Sequence, residues 1–196
     1  LGDGYIPGGR EAVAFLAHGE GHVQLPPGDY EAWATRGLEY ELDVAPFTVR
    51  AGQTTDVQLS VLRSIDSAGW ISADLHVHSQ PSHDSGVSPS ERVVTMAAEG
   101  VEFLLSTDHD YILDFAPHIE DLGLEPFITS AIGLEVTPIE VGHYLGFPLR
   151  HDYLDEAGGA FDWTGMTPRE IRESLVEAGQ VGAEVATIMA HPRDGI

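Results

Sequence analysis

The sequence predicts an α/β domain preceded by a small antiparallel β module. Three observations predict it. Residues 1–66 carry short alternating apolar runs separated by turn residues. From about Gly69 the pattern changes to apolar runs alternating with capped helical stretches. In that second part histidine, aspartate and glutamate gather where the apolar runs stop, as functional groups do at the carboxyl ends of strands in parallel α/β folds.

In the first module the strand candidates are Ala12–Leu16, Tyr30–Ala34, Phe47–Arg50 and Thr55–Leu59, and the turn signals between them include Gly19-Glu20-Gly21, Pro26-Pro27-Gly28-Asp29 and Ala51-Gly52-Gln53. Short strands with such punctuation predict a small antiparallel β-sandwich. The stretches 25–37 and 49–61 resemble the carboxypeptidase-regulatory-like or fibronectin-like modules of extracytoplasmic proteins.

The second domain spans 69–196. Its strand candidates are 70–77, 101–106, 127–134, 144–147 and 185–190. The run 101–106 is apolar apart from Glu102 and its final serine, as a parallel strand buried on both faces should be. Ser88, Pro89 and Glu91 form a helix start, with a cap, a proline at the first helical position and an acid three residues after the cap. Gly100 suits the far end. Thr167, Pro168 and Glu170 repeat the logic, Ile171, Leu175 and Ala178 follow at helical spacing, and Gly179 ends the helix. Strand–helix alternation of this kind argues for an α/β layer or barrel. The acidic stretch 152–165 reads as a long surface loop, a candidate lid.

Composition narrows the function classes. The chain has 196 residues, with 32 acids against 9 bases and a formal net charge of −23. All the bases are arginines. Such a chain repels phosphate backbones and anionic bilayers, so nucleic acid is excluded as a partner. No apolar run approaches the ~20 residues of a membrane span. Cysteine is absent, which excludes disulfide frameworks and thiolate-ligated zinc.

The ends of the apolar runs carry the chemistry. Asp74, His76 and His78 fall at i, i+2 and i+4, so on a strand they share one face and the two imidazoles can chelate one ion. His109 stands between Asp108 and Asp110, an arrangement that serves either a ligand or a solvated turn. Glu135 ends an apolar run, where a carboxylate must be solvated, paired or metal-bound. An eight-residue step leads from it to His143, and a hairpin-like loop of that length sets the two side by side. His191 precedes Pro192, which holds it extended.

These segments, Asp74–Ser79, Ser106–Asp110, Gly133–His143 and His191–Pro192, resemble in their order the four motifs of the PHP (polymerase and histidinol phosphatase) metallohydrolases, and more closely the CehA/McbA-type branch, in which a β-rich module often precedes the catalytic domain. The resemblance implies a distorted (β/α) barrel, incomplete here at its C-terminal side, and a further Asp-x-His beyond Ile196, supplied by a missing segment or a neighbouring chain. It implies His76, His78, Asp84, His109, Glu135, His143 and His191 as metal ligands, with His83 the alternative to Asp84.

Imidazoles and carboxylates without thiolate suit Zn²⁺, Mn²⁺ or Fe²⁺. Seven ligands exceed one tetrahedral ion, so two or three divalent ions are expected, with Glu135 as the bridging carboxylate. Two ions ~3.5–4 Å apart can share a hydroxide nucleophile. Asp108 and Asp74 read either as groups that orient ligand imidazoles or as strand-end caps. Arg193 is the cation best placed to grip an anionic substrate, ahead of Arg150 and His151. The expected activity is hydrolysis of a small phosphoester. The alternatives are hydrolysis of an amide, carbamate or carboxyl ester by the same centre, and a non-catalytic metal- or carbohydrate-binding fragment. The β module and the absence of thiols fit an extracytoplasmic location, while the acid excess also suits a salt-adapted cytoplasm.

Overall fold

The structure is a computed structural model that describes residues 9–191. The chain divides into two units. One runs to Ile71 and includes Val94–Val101; the other comprises Ser72–Val93 and the chain from Glu102 onward.

In the first unit β1 (Gly28–Ala34) pairs antiparallel with β2 (Asp43–Val49). Tyr30 lies opposite Phe47, and their rings stack with centroids 5.6 Å apart. Tyr40 and Arg63 add an isolated antiparallel bridge. The apolar run 12–16 and the alternating run 55–59 lie in irregular backbone. Where the sequence predicts a sandwich, the described residues hold a two-stranded ribbon. Alternation marks which face a segment would bury, but it does not supply the partner strand.

The second unit holds β3 (Ala73–Val77), β4 (Phe103–Ser106) and β5 (Thr129–Ile132), a parallel sheet in that order, and β6 (Leu134–Val136), β7 (Tyr144–Phe147) and β8 (Ala186–Met189), an antiparallel sheet in that order. The connections carry α1 (Pro89–Ala98) between β3 and β4, α2 (Ala116–Asp121) between β4 and β5, and α3 (Pro168–Glu177) between β7 and β8. None of the sheets closes into a barrel by strand pairing, and β8 pairs only with β7 among the described residues.

Gly133 joins the two sheets. It separates β5 from β6, so the single strand expected over 127–134 is two short ones with different partners. A Cβ at Gly133 would meet the Ser106 carbonyl oxygen at 2.6 Å and that of Gly146 at 3.0 Å. Only a residue without a side chain lets the chain pass between β4 and β7 here. Beyond Gly133 the parallel ladder resumes through a bridge between His109 and Glu135.

The helices begin as their sequences direct. Glu91 returns to the Ser88 backbone N–H at 3.1 Å, and the Ser88 hydroxyl oxygen accepts from the Glu91 N–H at 3.3 Å. Thr167 and Glu170 form the same reciprocal box at α3. α3 buries Ile171 and Leu175, one turn apart, with Leu175 against Gly146 of β7. Each such side chain contributes roughly 1.5–3 kcal/mol by leaving water. They join Ile112, Leu134, Val136, Tyr144 and Leu149 in one core cluster. That cluster fixes β6 and β7, which carry the acidic centre described next. α2 has no counterpart in the sequence reading; it starts with Pro117 in its first turn and with Asp114, whose carboxylate accepts from the Ala116 N–H at 2.9 Å.

Candidate metal centre

The strand directions bring the polar residues to one end of the second unit. His76 and His78 leave the carboxyl end of β3, His109 follows β4, Glu135 sits in β6, and His191 follows β8. β7 runs antiparallel to both β6 and β8, so His143, just before it, arrives at the same end.

Glu135 is completely buried, and its two oxygens face imidazoles. Oε2 lies 2.9 Å from His76 Nε2, 2.9 Å from His78 Nε2 and 3.4 Å from His109 Nδ1. Oε1 lies 2.9 Å from His143 Nδ1 and 3.4 Å from His191 Nε2. Asp84 flanks the cluster, with Oδ1 3.0 Å from His78 Nδ1 and Oδ2 3.5 Å from His109 Nε2. The seven residues that the family resemblance implies as ligands are thus brought together. His83 is exposed and stacks on His109 with centroids 4.4 Å apart, so Asp84 is the residue whose oxygens enter the cluster.

The donor set fits divalent ions. Around an ion with bonds of ~2.0–2.2 Å, neighbouring donor atoms lie roughly 2.8–3.6 Å apart, the range of the separations above. Hydrogen bonding alone accommodates this crowd poorly. A carboxylate offers about four lone-pair directions, and Glu135 faces five imidazole nitrogens. Both nitrogens of His78 face carboxylate oxygens, whereas a neutral imidazole has a single N–H. His109 Nδ1 is buried without a hydrogen-bond partner among the described residues. Three overlapping donor groups result: His76, His78 and Glu135; His78, Asp84 and His109; and His109, Glu135 and His143.

The electrostatics follow. Burial pushes the Glu135 carboxyl up, but hydrogen bonds with His76 and His78 and the surrounding imidazole charge outweigh it, holding the group far below the usual carboxylate range. Burial likewise raises Asp84, and bonds from Ser82 and His78 outweigh it, so it too lies far below. His78 is lowered by burial but raised further by Glu135 and Asp84, for a net rise. Burial dominates at His109, which is lowered.

Hydroxyl side chains that carried no signal in the sequence assemble the scaffold. Ser82 Oγ donates to Asp84 Oδ1 at 2.7 Å, accepts from the His109 N–H at 3.3 Å and lies 3.1 Å from His78 Nδ1. The Thr107 hydroxyl oxygen accepts from the Val77 N–H at 2.8 Å, where the β3–β4 register shifts. Asp74, within β3, accepts from the His76 N–H at 3.1 Å.

Asp108 sits beneath the cluster, fully buried and bonded to Ser79. Asp110 adopts a left-handed backbone (φ 51°), and its carboxylate accepts from Trp163 Nε1 at 2.8 Å, from the Thr137 N–H at 3.2 Å and from the Thr137 hydroxyl. Trp163 thereby ties the loop after β7 to the residue beside His109. Arg150 donates to the Glu177 carbonyl at 2.9 Å, and His151 packs on Tyr153. Arg193 lies outside the described residues. Among the described residues no helix is long and apolar enough to cross a membrane. No protein-family model matches the chain, and no curated protein matches it.

Proposed function

We propose that this chain is a metal-dependent hydrolase of the PHP type, binding two or three divalent ions through His76, His78, Asp84, His109, Glu135, His143 and His191 and acting on a small phosphoester. The observation that carries the reading is Glu135, a buried carboxylate whose two oxygens face two separate sets of imidazoles. When bound, such ions supply Lewis acidity and an activated water. The chain's own residues do the rest. Glu135 spans the sets and keeps its charge down to low pH. Ser82 fixes the Asp84 carboxylate and the loop of His109. The side chains of His76, His191 and Asp84 are 32%, 43% and 48% exposed, against 8% for His109, so substrate reaches the centre from their side.

The acid excess favours a second reading, in which the same centre hydrolyses an uncharged amide, carbamate or carboxyl ester, since 32 acids against 9 bases repel a phosphate at long range. One experiment tests both. The chain is stripped with chelator, reloaded separately with zinc, manganese or iron, assayed for bound metal, and given p-nitrophenyl phosphate and p-nitrophenyl acetate. Bound metal with metal-dependent phosphate release supports the first reading. Turnover of the acetate alone supports the second. Metal without turnover leaves a metal-binding fragment, and no metal overturns every reading that rests on a metal centre.

A further inference from the structure

Two loops leave the adjacent parallel strands β3 and β4, and each carries one imidazole of a close pair. The rings of His78 and His109 lie 4.5 Å apart. Beside them, between the loops, is a carboxylate that none of the three donor groups includes. Asp108 and Ser79 are both fully buried. The Ser79 backbone N–H donates to Asp108 Oδ1 at 2.5 Å and its hydroxyl to Oδ2 at 2.9 Å. Asp108 precedes His109, and Ser79 follows His78, so this two-point clasp spans the very residues whose spacing a shared ion must meet. Burying a polar side chain is costly unless it is hydrogen-bonded, and both Asp108 oxygens are bonded here to the residue that follows His78.

We infer that Asp108 is a positioning residue: by accepting both donors of Ser79 it fixes the separation of His78 and His109, and so sets the affinity for the ion they share with Asp84. The inference rests on the metal-centre reading and goes beyond it in assigning the device that spaces the ligands. Residues that orient ligands without touching the ion characteristically change metal affinity 10–100-fold.

The test is calorimetric titration of the chelator-stripped chain with zinc, alongside thermal melts of the metal-free proteins. In Asp108→Ala one binding step should weaken by about 10–100-fold. Asp108→Asn should stay within about threefold of the parent, because its amide oxygen still accepts the Ser79 N–H and its N–H can donate to the hydroxyl oxygen. Thr167→Ala, which removes the α3 cap away from the clasp, should melt earlier yet bind zinc as the parent does. Unchanged affinity in folded Asp108→Ala overturns the inference. So does equal damage in Asp108→Asn, which would assign the effect to charge, and so does equal weakening in Thr167→Ala, which would assign it to stability. Should Asp108→Ala not fold, Ser79→Ala decides, since it keeps the backbone bond and loses only the hydroxyl: a weakened zinc step upholds the clasp, and parent-like binding rejects it. A parent chain that takes up no zinc instead fails the metal-centre reading, an outcome distinct from all of these.

Discussion

Replacing Glu135 with glutamine keeps the side-chain volume and turns one of its oxygens into an N–H donor. The amide can still bond an imidazole, so the fold should survive, but it cannot bridge. Outer partners of a ligand alone change affinity 10–100-fold, so loss of the bridge should weaken metal binding by at least about that factor. Metal content after dialysis, with a melt as control, checks it. The two carboxylates also set an acid limb for the metal-free chain. Glu135 and Asp84 lie below their ordinary values of 4.5 and 3.8. Their contribution to stability is therefore complete above those values and is lost as pH falls through the depressed ones. Melts of the metal-free chain should fall steeply below about pH 4, and Glu135→Gln should flatten that limb. Of these residues the sequence offers His76, His78, His109, Glu135, His143 and His191 as candidate ligands where apolar runs begin or end, and Asp84 only through the family resemblance. It does not show Ser79, Ser82 or Thr107, whose hydroxyls gain a role only when two loops distant in sequence meet.

At the scale of elements, Gly133 is the point where one strand changes partner. A methyl group there collides with the Ser106 carbonyl oxygen, and backbone cannot yield as a side-chain tip can. Gly133→Ala should cost about 1–3 kcal/mol, as overpacking does, and should lower metal affinity too, because β6 carries Glu135. Thr167→Ala should cost about 1 kcal/mol by removing a cap while leaving metal affinity unchanged, since α3 supplies no ligand. Denaturant melts paired with zinc titrations separate the two. The capped helices were readable because Ser88 and Thr167 advertise their starts with an acid three residues on. The split at Gly133 was not, because the reason for it is the close approach of β4 and β7. The runs 12–16 and 55–59 mislead in the opposite sense: the first reads as a strand by being apolar and the second by alternating, but no ladder forms on either.

At the scale of the whole molecule, the net charge of −23 is a field that every substrate must cross. On the proposed reading, bound divalent ions would reverse it only near the centre, and a phosphate monoester approaching from tens of ångströms would meet repulsion first. Between 0.01 and 0.1 M salt the screening length shrinks from about 30 to about 10 Å, so the long-range repulsion fades while the short-range attraction survives. The metal-loaded chain should therefore show a kcat/KM for p-nitrophenyl phosphate that rises several-fold over that range of sodium chloride, through faster encounter. For p-nitrophenyl acetate, which carries no charge, the same change should leave kcat/KM constant. Initial rates at low substrate, with metal held saturating, measure both. A phosphate rate that falls with salt would mean that a cationic surface around the centre dominates the approach, and the argument from total charge would be wrong. A rising phosphate rate that stays far below the acetate rate at the highest salt would assign the centre to uncharged substrates, because the repulsion would by then be largely screened and the preference would belong to the site itself.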